Sequence, residues 1–521
     1  MDRWIGFVLV ICVLALASWI LVNQIHITQE DGFYYFKIAE NLARGYGSTF
    51  DGIDLTNGYQ PLWLFCLGPI FWLTTSPDVA LQLGIVLQAL FFAATVILLY
   101  ATARLNLGRV AAISAALLWI AFVYAESLKG LEFSLHAFGI ATVAYLYLRW
   151  FSSELPRDTR LYFALGLAFS LTFLARLDTL LLAAILIFFI SVRAWRSRSL
   201  KLFLPRVVIL SAPLIITAIS YVVINIFVFG EPFPISGWVK ETWSQYLLAQ
   251  DAVYQTRGWI VAKANQLLWT FDGLNRVYPL YMTLGTFGIA GLWLVNAFTQ
   301  SAWLSENLRR WSPFIAYSLI SFVGIALSLH DSLLWAPWYY VMQPWLAVML
   351  IAALVERLTY ATRVDSNIWM RGFAFATIAI GLTIPTLHTI QNLDELKAHQ
   401  AAGEIPEPLY DGARWASTHL PSDAVIGAWN AGTIGYFSNR RVVNLDGVVN
   451  TYDFFDTERF DLCRYWREHN ITYLVDAFEG QQALSVIPTL PAYAQCVQRL
   501  EPIWSDNHYG ASWHLQVYRI R

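Results

Sequence analysis

The chain alternates long apolar runs with short polar connections. Apolar segments occupy 4–22, 61–75, 79–103, 110–126, 131–150, 161–175, 178–193, 206–229, 277–297, 311–329, 336–355 and 369–390. A hydrocarbon core of about 30 Å is crossed by roughly 20 apolar residues in a helix, so hydropathy alone predicts about twelve crossings. The basic residues refine that count, because cytoplasmic loops carry the excess of Lys and Arg. They cluster at Arg3; Arg104 and Arg109; Arg149, Arg157 and Arg160; Arg193, Arg196, Arg198 and Lys201; Arg309 and Arg310; and Arg357, Arg363 and Arg371. Residues 161–193 lie between two such clusters and as one helix would be about 50 Å long, so they cross twice and turn near Arg176. Residues 61–103 join a loop of mixed charge to a basic cluster and must cross an odd number of times. The segment 61–75 is therefore expected to lie along the interface or to re-enter, where protein or a water-filled cavity satisfies its backbone.

About eleven spans remain. Residues 4–22 lack a small-residue cleavage site and read as an uncleaved signal anchor. With the N-terminus inside, the loops 23–60, 127–131 and 230–276 and the tail from about residue 391 fall on the outer side. The tail mixes periods: 410–419 and 458–468 are amphipathic, while 424–428, 441–445 and 471–475 are strand-like. The fold class is thus an α-helical polytopic membrane protein with juxtamembrane helices and a small C-terminal α/β extracytoplasmic domain. Three units are expected: a transmembrane module at 1–229, an outer loop and second transmembrane module at 230–390, and the soluble domain at 391–521.

Composition narrows the classes. Of 521 residues, 57% are hydrophobic and 13% charged, with a formal charge of −2; nothing supplies the basic face that nucleic acid requires. Membrane lipid is the evident surrounding. Of the four cysteines, Cys463 and Cys496 fall in the tail, where an oxidising compartment can join them or leave them apart. No metal-ligand spacing, phosphate-binding glycine loop or internal repeat is present.

The most informative stretch is 30–63, EDGFYYFKIAENLARGYGSTFDGIDLTNGYQPLW. Glu30 and Asp31 sit at the membrane surface, and 33–42 has helical periodicity, with aromatics suited to the interface and Lys37, Glu40 and Arg44 facing polar surroundings. Taken alone, Glu30 and Asp31 read as a solvated loop pair. Lys129 and Glu132 read either as a surface ion pair or as part of a site. Arg176 and Asp178 are more unusual, because ionisable residues between two apolar helices usually face a cavity or a partner. Two apart on a helix they would not meet. His330 begins another outer segment, the aromatics at 335–345 read as an interfacial belt, and 238–248 is an amphipathic stretch.

In order along the chain, the acidic pair, the FYYFKIAENLARG helix, the TNGYQPLW turn, Gly130-Leu131-Glu132 and Arg176-Leu177-Asp178 resemble the GT-C superfamily. These are membrane glycosyltransferases that take a sugar from a polyprenyl-phosphate carrier, among them protein mannosyltransferase and aminoarabinose transferase-like bacterial enzymes. The resemblance covers roughly 1–230, and the tail's NRRVVNLDGVVN looks like the extracytoplasmic domain of some bacterial members. It implies an inverting transfer of a hexosyl or pentosyl group to an acceptor hydroxyl on the periplasmic face of a bacterial inner membrane. Asp31 would be the catalytic base and Glu30 its auxiliary. Glu132, Lys129, Arg176, Asp178, Tyr59, Gln60 and His330 would contact substrate, and 230–276 falls where members place a mobile substrate loop. The partners implied are a polyprenyl-phosphate-linked sugar donor and a glycan, lipid or protein acceptor. The adjacent carboxylates can shift a pKa or recruit a divalent cation at Glu30/Asp31.

Two departures matter. Related sequences often read NGYHPLW, and Gln60 replaces that histidine. Many also carry an arginine before the tyrosine of a late outer segment, where this chain reads Trp338-Tyr339-Tyr340, so the carrier-phosphate contact must come from elsewhere. Arg176 can supply it, or can be a structural hairpin residue. The rival readings are a noncatalytic assembly scaffold and a lipid or sugar transporter; the latter predicts paired repeats or broken helices in corresponding positions, which the two halves lack.

Overall fold

The computed structural model of the chain describes residues 28–196, 200–250, 252–264, 302–328, 337–364, 408–478, 499–506 and 514–521. In chain order the helices of the membrane part are α1 (Glu30–Ala43), α2 (Pro61–Leu67), α3 (Ile70–Leu73), α4 (Pro77–Asn106), α5 (Arg109–Ser127), α6 (Phe133–Trp150), α7 (Thr159–Ala175), α8 (Leu180–Arg196), α9 (Leu200–Phe229), α10 (Ile235–Gln250), α11 (Ala252–Arg257), α12 (Ala302–Ser328) and α13 (Met342–Val364). Each predicted span between 79 and 355 in the described residues coincides with one of these helices. The predicted spans 4–22, 277–297 and 369–390 lie outside the described residues.

Four described helices are long and apolar enough to cross a membrane by length and composition: Pro77–Asn106, Leu177–Arg196, Phe203–Phe229 and Glu306–Ser328. The apolar windows of α5, α7 and α13 are shorter, at Arg109–Ala121, Thr159–Ala175 and Met342–Ala353, so the described residues do not establish the predicted total. Helix α9 carries a lipid-suited face of exposed Ile215, Ile216, Ile219, Val223 and Phe227.

Residues 61–75 form only α2 and α3, of 7 and 4 residues, too short to cross. Between α7 and α8 the backbone at Arg176 is extended (φ −157°, ψ 124°) and a 3₁₀ turn follows at Leu177–Thr179, so the long apolar stretch breaks at the predicted place.

The C-terminal part begins with α14 (Pro408–His419), β1 (Val425–Ala428), α15 (Ala431–Phe437) and β2 (Arg441–Asn444). It continues through α16 (Tyr452–Asp456), α17 (Leu462–Glu468), β3 (Tyr473–Phe478), β4 (Leu500–Asp506) and β5 (His514–Ile520). One sheet has the order β2-β1-β3-β5-β4. β1 pairs parallel with β2 and β3, while β5 is antiparallel to β3 and β4. Each predicted strand and amphipathic helix of the tail is present; α15, α16, β4 and β5 are additional. Cys463 is disulfide-bonded and Cys66 is free. The pairing with Cys496 falls outside the described residues.

The two parts meet across α1. The sequence placed its aromatics at the lipid interface, and here the structure corrects it: Phe33, Tyr34, Tyr35 and Phe36 are buried in protein. Phe33 packs edge-on against Phe437 of α15 at 5.3 Å between centroids and lies 5.7 Å from Tyr436. Helical periodicity reports an apolar face without saying whether lipid or protein covers it. Polar ties complete the junction. Arg441 Nη2 bonds Asp51 Oδ2 at 2.7 Å. The Asn57 side chain donates to Asn225 Oδ1 at 2.7 Å and accepts from Ile235 N at 2.9 Å, fixing the start of α10. Beside it, a Cβ on Gly58 would lie 1.9 Å from the Val448 carbonyl oxygen.

Gly58→Ala is therefore expected to pry the C-terminal domain from the first outer loop, at a cost of about 1–3 kcal/mol typical of overpacking against unyielding atoms. Thermal unfolding in nanodiscs should show a lowered midpoint and limited proteolysis faster release of the domain; an unchanged midpoint would mean the junction is looser than the contact implies.

Candidate active site

The polar segments between the described helices enclose a cavity of about 1170 Å³. Its walls come from the N-terminal turn of α1, the turn at 58–60, residues 131–132, the break at 176–178, helix α10, the 3₁₀ turn Pro337–Tyr339 and two loops of the C-terminal domain. Of the residues singled out in the sequence, Glu30, Asp31, Tyr59, Gln60, Glu132, Arg176 and Asp178 all line it. Lys129 does not: its ammonium pairs with Glu126 at 2.7 Å, and only its carbonyl contributes, accepting from Gln29 N at 2.9 Å. His330 lies outside the described residues.

Consecutive residues on a helix point about 100° apart, and this separates Glu30 from Asp31. The Glu30 carboxylate accepts from the Gly432 amide of α15. Burial, with help from Asp31 and Asp446, pushes its pKa well above the usual range. Asp31 instead opens to the cavity, with 37% of its side chain exposed, and lies 4.0 Å from the Lys240 ammonium.

Opposite stands a buried ion cluster. Arg176 Nη1 bonds Glu132 Oε1 at 2.8 Å, while its Nε and Nη2 bond the two Asp178 oxygens at 3.3 and 3.1 Å. On one helix Arg176 and Asp178 would diverge; the extended backbone at Arg176, at the predicted turn, lets them pair. Tyr35 donates to Glu132 Oε2 at 2.9 Å and its hydroxyl accepts from Gln60 N at 3.1 Å. Gln60 Oε1 accepts from Leu177 N at 3.3 Å, and Tyr59 shares a 2.6 Å bond with Ser48. Both residues thus brace the cavity rim.

Three residues that sequence reasoning missed complete it. Lys240 Nζ donates to the Tyr339 hydroxyl at 3.0 Å, and Arg176 lies over the Tyr339 ring at 5.0 Å. Burial opposes the Lys240 charge, but Tyr339 and Asp31 outweigh it and hold its pKa above the ordinary value. The third is Asp446, in the turn after β2. The proline-flanked start of α10 and the acidic residue in NLDGVVN were the available signals. Behind the Trp429-Asn430 wall, buried Asp476 accepts from both backbone amides at 2.7 and 3.1 Å.

Among the described residues no group of three or more His, Cys, Asp and Glu side chains is arranged to hold a metal ion. Of the pair suggested for a divalent cation, Glu30 accepts from the Gly432 amide through Oε1 alone and Asp31 opens to the cavity.

Glu132 and Asp178 share Arg176 unequally, with 4% and 41% of their side chains exposed. Removing one partner of a buried pair costs about 3–5 kcal/mol, and far less where water can replace it. Glu132→Ala should lower the thermal midpoint clearly more than Asp178→Ala; equal losses would show that the cluster is wetter than its packing.

The chain is similar in structure to the oligosaccharyltransferase AglB from Archaeoglobus fulgidus, solved with an inhibitory peptide and a dolichol-phosphate. The identity is 13% and the TM-score 0.55, covering 99% of this chain and 74% of that one. It is also similar to ArnT from Cupriavidus metallidurans bound to undecaprenyl phosphate, at 12% identity and TM-score 0.58, covering 98% and 97%. A further Archaeoglobus oligosaccharyltransferase structure, at 14% identity and TM-score 0.51, is a complex with Zn and sulfate, covering 96% and 72%. A family described as a domain of unknown function (DUF8728) matches residues 395–518, and no curated protein matches the chain. At these identities the likeness shows a fold shared with these structures over nearly the whole chain.

Proposed function

We propose that the chain transfers a sugar from a polyprenyl-phosphate carrier to an acceptor hydroxyl in this cavity, with Asp31 as the base. The observation that carries the reading is the pairing of a solvent-accessible carboxylate and a part-buried ammonium 4.0 Å apart in one cavity, within a fold shared with proteins solved with dolichol-phosphate and undecaprenyl phosphate.

The chemistry needs few groups. The acceptor oxygen attacks the anomeric carbon as Asp31 takes its proton, and the bond to the carrier phosphate breaks with its electron pair leaving on phosphate oxygen. Direct displacement inverts the anomeric configuration. Developing charge on the phosphate needs a cation. The Nε, Nη1 and Nη2 donors of Arg176 already serve Glu132 and Asp178, so Lys240 takes the carrier-phosphate role that the missing arginine before Tyr339 leaves open. Lys240 is freed from Asp31 when that carboxylate is protonated, which times its charge to the leaving group. Glu132, Asp178, Tyr59 and Gln60 shape the substrate side of the cavity. The arrangement fits a bacterial inner membrane with the cavity and C-terminal domain on the periplasmic face, and an acceptor that is a glycan, lipid or protein hydroxyl.

The test is consumption of a panel of polyprenyl-phosphate hexoses and pentoses by the protein in nanodiscs with host membrane extract as acceptor. A positioned base is worth about 100-fold to 10,000-fold, so Asp31→Asn should lose that factor while still binding carrier. Lys240→Gln should weaken carrier binding about 10-fold to 100-fold, the worth of a charge-assisted hydrogen bond. Equal turnover in the Asp31 variant would remove it as base, and undiminished carrier binding in the Lys240 variant would remove the phosphate contact.

A further inference from the structure

We infer that Asp446 of the C-terminal domain is a second proton-holding carboxylate of the cavity, receiving the acceptor's proton from Asp31; this rests on the glycosyl-transfer reading above. The C-terminal domain then completes the reaction site instead of only covering it.

The geometry is specific. Asp446 follows β2 in a turn clamped on two sides. On one, the Val448 carbonyl abuts Gly58 of the first outer loop so closely that no Cβ fits. On the other, Gly447 has a φ of +93°, and a Cβ there would lie 2.8 Å from Phe455 and 3.4 Å from Val239, the neighbour of Lys240. Internal bonds fix the turn: Asn444 Oδ1 accepts from Gly447 N and Asp446 Oδ1 from Val448 N, each at 2.8 Å. The carboxylate is thereby delivered to the same cavity as Asp31.

The groups facing it are Glu30, Asp31 and the Tyr34 phenol from α1, Lys240 from α10, and Asn444 on its own element; Glu241, Glu132, Asp178 and Arg176 line the cavity farther round. Burial raises the Asp446 pKa most. The Val448 amide and Asn444 oppose this, Asp31 adds to it and Lys240 subtracts, leaving it at about 7. Glu30 is also raised, but its carboxylate is turned to the Gly432 amide.

Each turnover forms the acceptor O–C bond, breaks the C–O bond to phosphate, and deposits one proton on Asp31. Passage to ionised Asp446 resets Asp31, and Asp446 returns the proton to water. The sign follows. Below about pH 7 Asp446 is already protonated and cannot accept, so turnover falls as pH falls through its pKa. An amide mimics the protonated acid: Asp446→Asn should stay at the low acid plateau at every pH, about 10-fold to 100-fold below wild type in the alkaline range.

Two measurements on the full chain in nanodiscs decide it. The first is the pH profile of donor consumption for wild type, Asp446→Asn and Asp31→Asn, with matched thermal midpoints. The second is an infrared titration of carboxylic acid absorption, which needs no substrate. A near-neutral carboxyl in wild type that vanishes in Asp446→Asn, together with loss of the acid limb, supports the inference. Absence of such a carboxyl in folded wild type overturns it even if the variant does not fold. So does a variant with the wild-type profile. Failure of wild type to consume any donor sinks the glycosyl-transfer reading and with it the relay, whatever the infrared spectra show.

Discussion

Ionised groups at the edge of a hydrocarbon layer have little water to solvate them, and the cavity exists only because protein groups replace that water. The Glu132–Arg176–Asp178 cluster is the clearest case. The guanidinium is 6% exposed and is held by two carboxylates, with the Tyr35 hydroxyl bonded to Glu132. This cluster ties the second outer loop, the hairpin break and α1 into one wall. It also leaves the wall with more acid than base. Lys240, leaning on Tyr339, is a cation that faces this excess, while burial, with Asp31 adding to it, raises Glu30 and Asp446 above ordinary carboxylates.

Such an inventory suits a reaction that releases a proton and an anion together. On the proposed reading the proton meets carboxylates able to hold it, while the anion meets a part-buried ammonium whose partner is neutralised as the proton arrives. A part-exposed carboxylate facing a part-buried lysine at 4.0 Å favours the transfer reading over a scaffold, and a solvated loop pair would not carry one member held by a backbone amide.

Much of the site was legible because its first half is local. Arg176 and Asp178 are polar islands between apolar helices, and the cost of such islands marks them; Glu30, Asp31, Tyr59, Gln60 and Glu132 were marked by the family resemblance of the segments that carry them. Lys129 was misread because it stands three residues from both Glu126 and Glu132. The helix carries Glu126 up to it, whereas the positive φ of Gly130 (+87°) turns the chain so that Glu132 points inward. Lys240, Tyr339 and Asp446 were not legible as site residues. Each sits in a segment with an adequate bland reading, and only the packing of α10, the Pro337–Tyr339 turn and the C-terminal domain over α1 brings them together. The tail's strands were visible from alternation, but α15, rich in small residues, gives no periodic signal even though it seats α1.

The division of labour between Glu30 and Asp31 follows from helix geometry and joins docking to chemistry. One carboxylate turned toward α15 receives the Gly432 amide and seals the domain against α1; its neighbour, a hundred degrees round the same helix, looks into the cavity. A change that shifts α15 relative to α1 must therefore alter the surroundings of Asp31 as well. The clamp on the 446–448 turn acts in the same sense, since it presses on the first outer loop at Gly58 and on α10 beside Lys240. Domain seating, Asp31 and Lys240 are mechanically one unit, which gives the C-terminal domain a physical reason to remain fused to a membrane part that could otherwise be covered by any soluble cap.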